Sequence, residues 1–171
     1  MRDMPISPDP ARSTPSIGIR IASRADMPAM ISMVNTAFVV EDFIEGTRTD
    51  ELRMSALMKK REFLVAQDGT ANFVGSVYVE ISGERGYLGM LAVDPKQQGS
   101  GVGRRLVQAA EDYCRERGCS YMSLNVLSVR TPVLSFYRKL GYSETGTEEF
   151  RPSRPLKAGV ECHAIVMSKQ L

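Results

Sequence analysis

The sequence has no tryptophan, a single histidine, three cysteines and a formal net charge of only +2. Each shortage closes off a class of function. Cys114, Cys119 and Cys162 are an odd number without the spacing of a metal site, so they read as free thiols in a reducing compartment. No metal is expected. So small a net charge offers no concentrated basic face for nucleic acid or an anionic membrane. No apolar run approaches the roughly 20 residues that cross a bilayer. The opening MRDMPISPDPARSTPS lacks the apolar segment of a secretory signal, and the chain reads as cytoplasmic.

What is present suits one globular domain. The 171 residues can bury a substantial core, and 43% of them are apolar. Residues 1–16, with four prolines and no periodicity, read as a flexible lead-in, which leaves 17–171 as the domain. Order is expected from the alternating segment at Ile17–Ile21. A helix follows with Asp26 as its cap and Pro28 in its first turn, and a second spans Asp50 to Lys60. Glu62–Ala66, Asn72–Ile81 and Tyr87–Val93, separated by turn residues, read as a three-stranded antiparallel meander. Beyond it, Val102, Leu106, Ala109, Ala110, Tyr113 and Cys114 line one face of a helix, with Arg104, Arg105, Gln108, Glu111, Asp112 and Arg115 on the other. Gly118 suits a C-terminal cap. A strand at Tyr121–Val126 must run parallel to its predecessor, because a helix separates them. Thr131 reads as the N-cap, and Pro132 as the first residue, of a helix that ends at Gly141, and two strands close the chain. The order is β, α, α, three β, α, β, α, β, β, a mixed sheet covered by helices.

One stretch stands apart. In DPKQQGSGVGRRL, residues 94–106, three glycines fall within five positions between a strand and a helix. That placement exposes main-chain N–H groups at the positive end of a helix dipole with no Cβ in the way, a site for phosphate or pyrophosphate. Arg104 and Arg105 could add donors, with Lys96 at the rim. The segment has no Gly-Lys-Ser/Thr of a nucleotide P-loop, and its glycine spacing differs from the dinucleotide fingerprint. Spacing alone leaves the ligand open.

Gln98-Gly-Ser-Gly-Val-Gly103, preceded by MLAVDP and followed some thirty residues later by Phe136-Tyr-Arg-Lys-Leu-Gly-Tyr142, resembles the two signatures of the GCN5-related N-acetyltransferase (GNAT) superfamily. The resemblance covers Ile17 to Leu171. It implies an α/β (α+β) fold: a mixed, mostly antiparallel central sheet of six to seven strands, about four flanking helices, and splayed fourth and fifth strands. It also implies acetyl-CoA as acyl donor, direct transfer to an amine acceptor in a ternary complex, and no metal. Gln98, Gly99, Gly101, Val102, Gly103 and Arg104 would cradle the pyrophosphate, Leu91 and Val93 would hold the pantetheine arm through main-chain bonds, and Tyr137 would protonate the departing thiolate. The alternative for Tyr137 is a core ring paired with Phe136. A second copy of the chain is a further candidate partner.

Two positions depart from the family pattern. Where similar proteins place a glutamate base twelve residues before the tyrosine, this chain has Asn125, which cannot take a proton at neutral pH. Where many have a cofactor-binding asparagine seven residues before it, this chain has Arg130. The base is therefore open among Glu80, Glu41, Glu45, His163 and water. Residues 39–50 and 150–159 correspond to the segments that shape the acceptor site. They carry acids at Glu41 and Glu45 and cations at Arg48, Arg151, Arg154 and Lys157, so an amine rich in positive charge and an anionic acceptor both remain open. Two rival readings share the donor site: a catalytically silent acyl-CoA-binding module, and an acetyltransferase for protein N-termini or lysines.

Overall fold

The computed structural model describes residues 16–151 and 154–171, so the expected lead-in lies almost entirely outside the described residues. In chain order the elements are β1 (Gly18–Ile21), α1 (Met27–Ala37), α2 (Glu51–Met58), β2 (Glu62–Gln67), β3 (Phe73–Ser82), β4 (Arg85–Val93), α3 (Val102–Arg115), β5 (Tyr121–Leu127), α4 (Thr131–Lys139), β6 (Ser143–Glu149) and β7 (His163–Gln170). They form one seven-stranded sheet in the order β1-β2-β3-β4-β5-β7-β6. Each neighbouring pair is antiparallel except β4–β5, which is parallel across the α3 crossover. Element order and strand directions are those the sequence implies.

Both faces of the sheet are covered, and β2 shows why its sequence is continuously apolar. Leu64 and Ala66 point into the layer under α3 and α4, whereas Phe63 and Val65 point into the layer under α1 and α2. The period-two alternation of a strand therefore meets apolar neighbours on either side. In the first layer Leu106, Ala110 and Cys114 of α3 pack on Val77, Val79 and Leu88; in the second, Met30, Val34 and Met54 pack on Phe63 and Val65. The three cysteines are free thiols, and burial pushes the Cys114 thiol up to about 12, which leaves it protonated and inert at neutral pH.

Three local expectations are corrected. Asp26 sits at the start of α1, but its carboxylate does not cap that helix. It turns back to accept two hydrogen bonds from the Arg20 guanidinium at 2.7 and 2.8 Å and one from the Ser23 N–H at 2.7 Å. The Arg20 bond, helped by Ser23, holds the Asp26 carboxyl well below the usual carboxylate range. Thr131 is the first residue of α4, and Arg130 occupies the cap position.

The third correction concerns Glu111, which belongs to the core. It is 1% exposed, takes both carboxylate oxygens to Lys169 Nζ at 2.9 and 2.8 Å, and accepts from the Tyr142 hydroxyl at 3.0 Å. Helical periodicity places it near the polar edge, but β7 and the turn after α4 cover that edge. Removing one partner of such a buried pair strands the other charge. Glu111→Ala is expected to lower stability by about 3 kcal/mol, and Glu111→Leu combined with Lys169→Met should recover most of the loss, both read from urea unfolding.

Candidate functional site

The site begins where the sheet comes apart. β4 and β5 pair only from Arg85↔Tyr121 to Leu88↔Leu124, although β4 continues to Val93 and β5 to Leu127. Past Leu88 the β5-facing edge of β4 has no strand beside it. A bulge coincides with the parting: Ser76 pairs with Ala92 and Tyr78 with Gly89, so Met90 and Leu91 together oppose Val77. Met90 adopts φ 49°, a left-handed conformation that costs a non-glycine residue about 1–3 kcal/mol. Bulges of this kind re-aim main-chain groups.

Two cavities open from this wedge. The one over the glycine turn has a volume of about 690 Å³ and is lined by Leu91, Val93, Gln98, Gly99, Gly101, Gly103 and Arg104. Those are seven of the eight residues that the sequence nominates for the donor. The eighth, Val102, turns its side chain into the core at 2% exposure, so only its main chain is available to a ligand. Gly99 and Gly101 have φ of +81° and +90°, and a Cβ on either would meet nothing within 4 Å: the turn faces open space at the N-terminus of α3. Arg104 lines the cavity. Arg105 does not, because its guanidinium donates to the Ile17 carbonyl at 2.6 Å, and Lys96 is likewise absent from the lining.

The second cavity, about 550 Å³, lies on the other side of Tyr137. Phe38, Leu91, Arg130, Val133 and Tyr137 line both spaces and form their common wall. Tyr137 is 5% exposed, and its ring meets Phe136 and Tyr142 edge-on at 5.0 and 5.7 Å, so it is a core aromatic as well as a wall residue. Among the described residues its hydroxyl has no hydrogen-bond partner, and burial raises its pKa above that of an ordinary phenol. It is therefore protonated at neutral pH and able to donate.

Residues 43–45 and 155–157 meet each other beside this second cavity. Ile44 bridges Leu156, the Glu45 N–H donates to the Pro155 carbonyl at 3.0 Å, and the Lys157 N–H donates to the Phe43 carbonyl at 2.9 Å. Of the four side chains considered as base, Glu41 lines the cavity and Glu80, Glu45 and His163 do not. Glu80 is tied to Arg61 at 2.7 Å. Asn125 also faces the cavity, and its Nδ2 donates to Glu148 at 3.2 Å, which brings a carboxylate from β6 next to the position where the sequence lacks one. Arg130 donates to Glu41 at 2.8 Å.

Arg61, Tyr78, Tyr87 and Glu149 also line this cavity and are not singled out by the sequence. The one available signal is Gly89: an added Cβ would lie 2.2 Å from the Tyr78 ring, so the glycine gives that ring its place across β4. Tyr78 in turn packs on Tyr87 at 6.3 Å and under the Arg61 guanidinium at 4.8 Å.

Comparison with known proteins defines the class. Residues 27–142 match the model of the acetyltransferase (GNAT) family, and the chain belongs to that family. A streptothricin acetyltransferase of Streptomyces lavendulae is 29% identical over 128 residues, covering 75% of this chain and 62% of that protein. A mycothiol acetyltransferase of Saccharopolyspora erythraea is 28% identical over 147 residues, covering 81% of this chain but 47% of the relative. The match thus spans less than two thirds of either relative. Among solved structures, the ribosomal-protein-S18-alanine N-acetyltransferase of Escherichia coli superposes with a TM-score of 0.74 at 18% identity, covering 91% and 94% of the two chains. A Salmonella typhimurium chain determined with its cofactor acetyl-CoA superposes with a TM-score of 0.73 at 22% identity, again covering 91% and 94%. Both share the fold.

Gly89→Ala is expected to cost about 1–3 kcal/mol by forcing the Tyr78 ring aside. The Tyr78→Ala, Gly89→Ala double variant should lose clearly less than the sum of the single changes in urea unfolding.

Proposed function

We propose that the protein is an acetyl-CoA-dependent N-acetyltransferase that passes the acetyl group directly to a primary amine, with Tyr137 as general acid. One observation carries this reading: Tyr137 stands in the wall between an open glycine turn at a helix N-terminus and a second, polar cavity. The donor-side residues fit coenzyme A. The N–H groups of the 99–104 turn and the Arg104 guanidinium suit its pyrophosphate, and the unpaired edge of β4 at Leu91 and Val93 suits its amide-bearing arm. When bound, acetyl-CoA supplies the thioester that the amine attacks.

The chain's own groups then handle protons and position. Tyr137 donates its hydroxyl proton to the sulfur as the C–S bond breaks. The bulged Met90–Leu91 main chain, released from β5, is the candidate donor to the carbonyl oxygen. The proton lost by the amine passes to Glu41, the base candidate that lines the acceptor cavity, or to water. A cavity of about 550 Å³ bounded by two paired loops fits a small amine better than a protein segment.

Tyr137→Phe should lower kcat by about 10²- to 10³-fold with the affinity for coenzyme A nearly unchanged, measured by thiol release and calorimetry. Unaltered kcat removes Tyr137 from the chemistry, and tight coenzyme A binding without turnover of any amine favours a binding module. Gly101→Val, which forces a β-branched residue to φ +90°, should weaken coenzyme A binding by about tenfold or more; unchanged affinity would move the pyrophosphate elsewhere.

A further inference from the structure

The two loops beside the acceptor cavity carry charges of both signs, and the fold sorts them. Asp42 and Glu45 are exposed and stay outside the cavity. Asp50 accepts from the Arg53 N–H at 2.9 Å as the cap of α2 and pairs with Arg154 at 3.2 Å, which removes both from the cavity. What remains in the wall is Arg48, Arg61, Arg130 and Arg151 against Glu41 and Glu149, an excess of two positive charges that Glu80, paired with Arg61 from outside the cavity, reduces to one. Arg151 pairs with Glu149 at 2.9 Å, and Arg61 with Glu80 at 2.7 Å. Arg130 takes Glu41 Oε1 at 2.8 Å.

Arg48 is left over. Its Nε lies 3.9 Å from Glu41 Oε2, beyond hydrogen-bond reach, and that buried Nε has no hydrogen-bond partner. Glu41 Oε2 has none either, and the Glu41 side chain is 6% exposed. Phe38 supports the guanidinium of Arg48 from one side, with the ring centroid 5.0 Å away. A single carboxylate shared with Arg130 does not neutralise two guanidinium groups. The Arg48 side chain is 27% exposed and lines the cavity, so the terminal nitrogens of its guanidinium, which make no hydrogen bond among the described residues, can give an oxyanion a charge-assisted one.

We infer that the acceptor is a small primary amine that also carries an anionic group, a carboxylate or a comparable oxyanion, and that Arg48 is the counter-charge that binds it. This rests on reading the site as an acetyltransferase. The amine reaches toward Tyr137 while its anionic end lies against Arg48, with Tyr78 and Tyr87 forming the wall between. An acceptor with only positive charge would meet Arg48 and Arg130, which share one carboxylate between them.

The test compares amino acids, their C-terminal amides and the matching decarboxylated amines, by thiol release from acetyl-CoA and by calorimetric binding to the coenzyme A-loaded protein. Free carboxylates should exceed their amides by about 10- to 100-fold in kcat/KM and in affinity. Arg48→Met should erase that margin mainly through KM, and Arg48→Lys should retain part of it. Equal or better performance of amides and decarboxylated amines in both assays overturns the inference, as does an unchanged margin in Arg48→Met. Carboxylate-dependent binding that needs Arg48 but gives no thiol release would support the anionic site and sink the acetyl-transfer reading. Turnover without a carboxylate preference would do the reverse.

Discussion

The β4–β5 pairing stops after Leu88↔Leu124, and the rest of the site follows from that stop. Two parallel strands that continued to pair would close the sheet and bury their edge groups against each other. Their separation leaves β4 with main-chain groups facing a cleft, and the bulge at Met90–Leu91 turns that edge further. The glycine turn at the end of β4 and the N-terminus of α3 then lie at one end of the wedge. Tyr137 comes in from α4 to divide the space in two.

A wedge of this kind must be braced, since unpaired strands would otherwise find partners. β7 supplies the brace on one side by pairing with β5 from Tyr121 to Leu127. The buried contact of Glu111 with Lys169 and Tyr142 ties α3, β7 and the turn after α4 into one unit. The helix that presents the glycine turn and the helix that presents Tyr137 are thus fastened to the same strand. A covalent link would do no more than fix their separation, and no disulfide is present among the described residues.

The two cavities differ in chemistry as well as place. The cavity over the glycine turn presents main-chain N–H groups, two glycines at positive φ and Arg104, with Arg130 in the shared wall, beside apolar neighbours such as Leu91 and Val93. The far side is built from side chains of distant segments: Phe38, Glu41 and Arg48 before α2, Arg61 from the turn before β2, Tyr78 from β3, and Arg130 from the start of α4. Its character depends on which charges cancel, and cancellation is a property of distances.

The donor residues and the role of Tyr137 were implied by resemblance to a known family; the order and direction of the strands and the glycine turn at the head of α3 were determined by the sequence itself. These rest on local signals: period-two and period-3.6 patterning, glycines where φ is positive, and a helical crossover that makes β4 and β5 parallel. Only the tertiary structure decided the burial of Glu111, the turning away of Arg105, the capture of Asp26 by Arg20, and the sorting of the charges around the second cavity. Each of these depends on a partner 6 to 104 residues away, and neither propensity nor spacing encodes whether two charges that far apart in the chain lie 3 Å or 30 Å apart in space.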